Sequence, residues 1–160
     1  MDVITNKEKT CTFIGHRRIN KTEELVSKVT SIFEQLIYEK GYDTFLIGSR
    51  SEFNDMCTEI LSGLKKKYPH IRRIYIRAEY PVITEEYRDY LLGFCDDTYY
   101  PSALTGAGKA VYVERNRKML DKCSVCIFYF HPGCTSSRSK SGTALALEYA
   151  KYKEVVCLMV

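Results

Sequence analysis

Strands that alternate with amphipathic helices predict an α/β fold, a mostly parallel sheet of about five strands with helices on both faces. Two observations lead there. Two short apolar runs, Cys11-Thr12-Phe13-Ile14 and Thr44-Phe45-Leu46-Ile47, each break at a glycine that is soon followed by an arginine. Helical periodicity lies between them, and the alternation of apolar run and helix returns in the second half of the chain.

The first run reads as a buried strand entering the turn Gly15-His16-Arg17-Arg18. Asn20 with Glu23 three residues later matches a capping box, and Leu25, Val29, Ile32, Phe33, Leu36 and Ile37 recur at helical spacing up to Gly41. The second run enters Gly48-Ser49-Arg50-Ser51, after which Met56, Ile60, Leu61 and Leu64 mark a helix and Pro69 its exit. Lys65-Lys66-Lys67 fall at the end of that helix, where cations oppose the dipole. A third strand, 71–77, carries Ile71, Ile74 and Ile76 among basic and aromatic neighbours, which places it nearer an edge.

Residues 78–111 read as mostly irregular, with a short helical stretch over 84–94 and a loop at Tyr99-Tyr100-Pro101-Ser102. Long segments of this kind in small domains are often functional. The tyrosines suit two roles, covering a pocket and stacking on a base, or packing the segment onto the body. A helix from about 110 to 122, a strand at 124–130, a loop at 131–140, a helix at 141–153 and a strand at 155–160 complete the prediction.

A chain of 160 residues, 45% hydrophobic, fits a single domain over 1–160 with its own core. It has neither a signal-like start nor an apolar run of bilayer length, so a soluble cytoplasmic protein without a membrane partner is expected. Seven scattered cysteines point to reduced thiols rather than a disulfide framework. The net charge of +4 is dispersed among 20 acidic residues, which speaks against nucleic acid as a partner.

Three motifs lose their sharper readings. Gly106-Ala107-Gly108-Lys109 lacks the earlier glycine of a phosphate loop (Ala103 stands there), the following hydroxyl (Ala110 stands there) and an apolar strand leading in, so it reads as a turn. Cys123 and Cys126 form a single CxxC; on a strand running through both, residues three apart face opposite ways and cannot share a metal. His70 and His131 suggest no ligand set, so neither a metal nor a cofactor is expected.

The candidate site lies where parallel strands end and helices begin, the edge at which open α/β sheets bind ligands. Gly15, His16 and Arg17 follow the first strand, Gly48, Ser49 and Arg50 the second, and Arg115 reaches the same edge from the helix over 110–122. A guanidinium fork suits phosphate or carboxylate. Each arginine alone suits a surface ion pair equally well; their shared edge favours a ligand. Ser141-Gly142-Thr143 opens the last helix with free N–H groups, hydroxyls and a helix dipole. A cap by Ser139 or Ser141 explains part of that pattern, and the glycine suggests close approach of a ligand.

In these residues the chain resembles the SLOG superfamily, Rossmann-like proteins that bind nucleotides and nucleotide-derived ligands. Phe13-Ile14-Gly15-His16-Arg17, Gly48-Ser49-Arg50 with Phe53 and Asp55, Glu114-Arg115-Asn116-Arg117-Lys118-Met119, and Ser141-Gly142-Thr143 with Glu148-Tyr149-Ala150 carry the resemblance in order. It implies a single Rossmann-like domain that takes a nucleotide-derived small molecule, with Phe53 and Asn116 added to the binding set and a homodimer or higher homo-oligomer as the assembly. It also implies DNA-handling relatives of the same fold, so a single-stranded DNA binder is a further alternative. LOG-type phosphoribohydrolases in this superfamily cleave a base from a nucleoside monophosphate, using an arginine-bearing helix and a Pro-Gly-Gly-x-Gly-Thr-x-x-Glu loop. Arg115 and Gly142-Thr143 match. The double glycine is absent, Asn116 replaces a lysine, and Ala146 stands where that family has its glutamate. Glu148 is two residues further, rotated by about 200° on a helix. Binding without cleavage is therefore the first expectation. Nucleotide N-glycosidase or ribosyl-transfer chemistry is the alternative, with Arg115, Asp55, Glu79 and Glu148 as candidates.

Overall fold

A computed structural model describes residues 3–4, 6–102, 104, 106, 108–132 and 141–160. The predicted loop at 131–140 lies, from 133 onward, outside the described residues, as do the Ser139 cap and Ala103 and Ala107 around the glycine turn.

The sheet is parallel throughout. Its strands are β1 (Thr10–Gly15), β2 (Thr44–Ile47), β3 (Arg72–Ile76), β4 (Asp97–Tyr99), β5 (Val125–Tyr129) and β6 (Val156–Met159), in the order β4-β3-β2-β1-β5-β6. The connecting helices are α1 (Glu23–Glu34), α2 (Glu52–Lys67), α3 (Glu85–Leu92), α4 (Ala110–Asp121) and α5 (Gly142–Tyr152). A short 3-10 turn over Lys7–Lys9 precedes β1.

Alternation along each strand sorts its residues into two core layers. Cys11, Phe13, Phe45, Ile47, Val125 and Ile127 meet α1 and α2 on one side. Ile14, Leu46, Ile74, Ile76, Cys126 and Phe128 pack with Met119 and Leu120 of α4 and with Ala146, Leu147 and Ala150 of α5 on the other. Helices on both faces are thus observed. In the first layer Phe33 stands edge-on to Phe13 and Phe45 at centroid distances of 5.8 and 5.5 Å. That geometry suits the ring quadrupoles.

The strand count is six, not about five. β4 falls in the segment expected to be mostly irregular, because Asp97-Thr98-Tyr99 has no apolar pattern; it exists by pairing with Ile74–Ile76 of β3. β3 therefore lies one place in from the edge. The capping residue of α1 is Thr22, whose side chain accepts from the Leu25 N–H at 3.1 Å; Asn20 is two residues too early. This helix continues as a π-helical turn over Gln35–Glu39, and Gly41 follows at φ +71°, a left-handed conformation suited to glycine. β5 begins at Val125, so Cys123 precedes it and the opposite-face argument fails: both thiols sit in the same core layer. Among the described residues, no three His, Cys, Asp or Glu side chains cluster closely enough to hold a metal. No helix among them is long and apolar enough to cross a membrane.

Candidate functional site

A cleft of about 1120 Å³ opens at the carboxyl ends of β1, β2 and β3, walled by α4 and by the start of α5. Sheet order explains its position. The chain steps outward from β1 to β4, then α4 returns across the sheet to deliver β5 on the other side of β1. Turns after adjacent strands diverge there, and the helix that crosses back closes one side.

The turn after β1 brings His16 and Arg17 into the cleft. His16 is buried, and its Nε2 accepts the His131 backbone N–H at 2.9 Å, so the neutral ring carries its proton on Nδ1. Burial holds its pKa below the ordinary 6.5. A base whose pKa is lowered in the folded state stabilises the fold above its unfolded pKa. That contribution is lost as pH falls below 6.5 toward the folded value. The wild-type melting temperature should therefore fall more between neutral and mildly acidic pH than that of His16→Gln, which keeps an acceptor but does not titrate. Parallel melting curves across that range check it.

The turn after β2 is a side-chain network. Ser51 caps α2, accepting from Asn54 N–H and Nδ2 at 3.2 and 3.1 Å, and Asn54 Oδ1 accepts from Gly48 N–H at 3.4 Å. Asn54, only 3% exposed, was not singled out in the sequence; its spacing of three from the Ser51 cap was the available signal. Arg50 is exposed and already engaged, with Nε 2.8 Å from Asp55, a 2.8 Å hydrogen bond to the Tyr90 hydroxyl and its guanidinium 5.0 Å from the Phe94 ring. The Asp55 and Tyr90 hydrogen bonds hold its pKa above the usual value.

Glycines 15 and 48 serve packing. A Cβ on Gly15 would lie 2.4–2.7 Å from the Phe53 side chain, and one on Gly48 would lie 2.5 Å from Met119 Sδ and 3.2 Å from Arg115 Nε. A Cβ on Gly142 would meet no described atom within 4 Å.

Arg115 occupies the floor. It is 4% exposed, its Nε donates to Asn116 Oδ1 at 3.1 Å, and its guanidinium lies 5.7 Å from the Tyr112 ring. Among the described residues no carboxylate pairs with it, and burial pushes its pKa down to about 10, with Tyr75, Tyr112 and Glu79 opposing. Arg77, at the end of β3, is also buried; it donates to the Tyr80 carbonyl at 2.8 Å, while its Nε has no hydrogen-bond partner among the described residues. The sequence prediction passed over Arg77. It stands just past a strand end, near the same edge as Arg17 and Arg50, and that was the signal.

Ser141 caps α5, accepting from Ala144 N–H at 3.1 Å, and Ser141, Gly142 and Thr143 all line the cleft. The structure therefore gathers Gly15, His16, Arg17, Gly48, Ser49, Arg50, Arg115, Asn116, Ser141, Gly142 and Thr143 around one space. Phe53 is fully buried beneath Gly15 and does not line it. The carboxylate candidates separate: Asp55 is paired with Arg50 away from the lining, Glu148 is exposed on α5 and does not line the cleft, and Ala146 is buried in the core. Glu79 lines the cleft and accepts a hydrogen bond from the Tyr112 hydroxyl.

Basic side chains dominate this lining. Arg17, Arg18, Arg50, Arg77, Lys109 and Arg115 face Glu79 as the one carboxylate among the described lining residues. Charge that is dispersed along the sequence is concentrated here in space, because the basic residues arrive from four separate segments.

No family model matches the sequence, and no curated protein matches it. The fold is similar to that of a solved structure of DNA processing protein A from Helicobacter pylori, with a TM-score of 0.57 and 16% identity, and that structure is described for its single-stranded DNA binding mode. The likeness covers 94% of this chain, which spans 64% of that one, and at this identity it establishes the fold alone. It corrects the expectation against nucleic acid: a chain of this Rossmann-like fold binds single-stranded DNA, and the overall charge balance on which that expectation rested conceals the concentration of cations in the cleft.

Proposed function

We propose that the cleft binds a phosphorylated nucleotide or nucleotide-derived signal, and that the protein acts as a sensor or sequestering agent. The observation that carries this reading is Arg115, a guanidinium 4% exposed, open to the cleft and without a carboxylate partner among the described residues. A buried charge without a counterion is costly to a fold, and an anionic ligand removes the cost. Arg77 adds a second buried guanidinium, and the capped start of α5 adds N–H donors. The order of Gly15-His16-Arg17, Gly48-Ser49-Arg50, Arg115 and Ser141-Gly142-Thr143 around one space supports SLOG membership.

Calorimetric titration with mono-, di- and cyclic nucleotides is the test. Binding by the wild type, weakened at least about tenfold in Arg115→Ala, is expected for loss of a charged hydrogen-bonding group. Absence of binding to every nucleotide and to single-stranded DNA overturns the proposal.

The second reading is a single-stranded nucleic acid binder, favoured by the similarity of fold to DNA processing protein A and by the basic lining. A steep loss of oligonucleotide affinity with rising salt would support it. For the hydrolytic alternative, Glu79 is the carboxylate in position, and release of free base from a nucleoside monophosphate, abolished in Glu79→Gln, would establish it. A homo-oligomer belongs to the same proposal; edge strand β6 exposes Val156 and Met159, as an interface would require.

A further inference from the structure

The cleft has two chemically distinct ends. Around β1, β2 and the start of α5 it presents hydroxyls, backbone N–H groups and exposed cations; around β3, α3 and α4 Tyr75, Tyr80, Tyr87 and Tyr112 line it beside Arg77 and Arg115. Phosphate chemistry has no use for aromatic rings, so the second end calls for a separate explanation.

Tyr80 is the informative residue. Its φ is +60°, in the left-handed region, which a bulky side chain adopts only when its surroundings impose it. Arg77 anchors this turn by donating to the Tyr80 carbonyl at 2.8 Å. The ring is not buried as a result: it is 59% exposed, standing edge-on to Tyr87 at 6.1 Å. Tyr87 in turn lies nearly parallel to Tyr90, at 6.1 Å and 22°. Tyr112 on α4 is also part-exposed and lines the same cleft. A left-handed backbone thus carries an exposed ring at a cationic cleft, braced by a second ring, with a third lining the same space. If Tyr80 only packed its segment onto the body, the ring would be covered.

We propose, resting on the nucleotide-binding reading above, that Tyr80, Tyr87 and Tyr112 form a nucleobase subsite, with the attached phosphate on Arg115 and Arg77. Flat π-faces beside buried guanidinium groups match a base and its phosphate in one molecule. A free nucleotide and a nucleotide within a single strand share this chemistry.

Calorimetry with 5′-mononucleotides, ribose 5-phosphate and a short oligothymidylate tests the assignment on wild type, Tyr80→Gly and Tyr87→Leu. Wild type should bind a base-bearing ligand at least about tenfold tighter than ribose 5-phosphate, as one stacked base provides. Both variants should lose that margin. Tyr80→Gly should melt no lower than wild type, because glycine accepts the left-handed backbone without strain, so its loss of affinity cannot be assigned to unfolding. A margin seen with mononucleotides supports the subsite and identifies a free ligand; a margin seen with oligothymidylate alone supports it and identifies a polymer. Equal affinity for ribose 5-phosphate and nucleotides, or a margin that survives in both variants, overturns the subsite and leaves the anion site standing. Failure of all three probes on wild type overturns both.

Discussion

Arg115→Met should raise the melting temperature of the ligand-free protein while removing any ligand-induced stabilisation. Burial lowers the Arg115 pKa from 12.5 to about 10, which corresponds to a penalty on the order of 3 kcal/mol for holding the charged form in the fold at neutral pH. Met fills a similar volume beside Met119 without that penalty, and replacing buried charges by apolar groups often stabilises by about 1–4 kcal/mol. Loss of the Tyr112 ring contact and the Asn116 hydrogen bond offsets part of the gain, so a rise of about 5 °C is expected for a chain of this size. Differential scanning fluorimetry with and without nucleotide reads both effects. A variant that melts well below wild type would show that Arg115 supports the fold rather than a ligand.

Gly15→Ala should be the most damaging single-methyl change near the cleft. The added Cβ would lie 2.4–2.7 Å from three atoms of Phe53, a side chain with no exposure, held against Tyr129 at a centroid distance of 5.6 Å. Neither β1 nor α2 can yield without disturbing the first core layer, so overpacking should cost about 3 kcal/mol. Pairing it with Phe53→Ala supplies the control. Urea denaturation of the single and double variants should give a double-variant loss well below the sum of the singles, since one change vacates the space the other fills. Additive losses would contradict the packing account of this glycine.

The sheet centre was legible because β1, β2 and β5 are short, nearly all-apolar runs, the pattern required of strands covered on both faces. The glycine-arginine turns were legible for a related reason, since strand ends in such sheets face the same edge. β4 was not, because a three-residue strand held by main-chain pairing leaves no periodicity. The site divided along similar lines. Local motifs indicated His16, Arg17, Arg50, Arg115 and Ser141–Thr143, but their environments depend on tertiary contacts: Arg50 is hydrogen-bonded to Asp55 and Tyr90, whereas Arg115 is buried, with Glu79 acting on it only electrostatically and no carboxylate hydrogen-bonded to it among the described residues. Gly15 and Gly48, which the strand-end turns place in the candidate site, have their Cβ positions taken up by Phe53 and Met119. The left-handed Tyr80 has no sequence signature, because a tyrosine does not ordinarily adopt that conformation and nothing local marks it. Overall charge misled most, since +4 spread along the chain gives no sign of the cluster that folding assembles.

Native mass spectrometry tests the central claim most directly, that a buried guanidinium in this cleft holds a phosphorylated nucleoside. Wild-type protein, freshly purified or incubated with nucleotides and oligothymidylate, should carry a mass increment of that class, and Arg115→Ala should not. No increment on wild type under any of these conditions, or one retained undiminished by Arg115→Ala, would contradict the account.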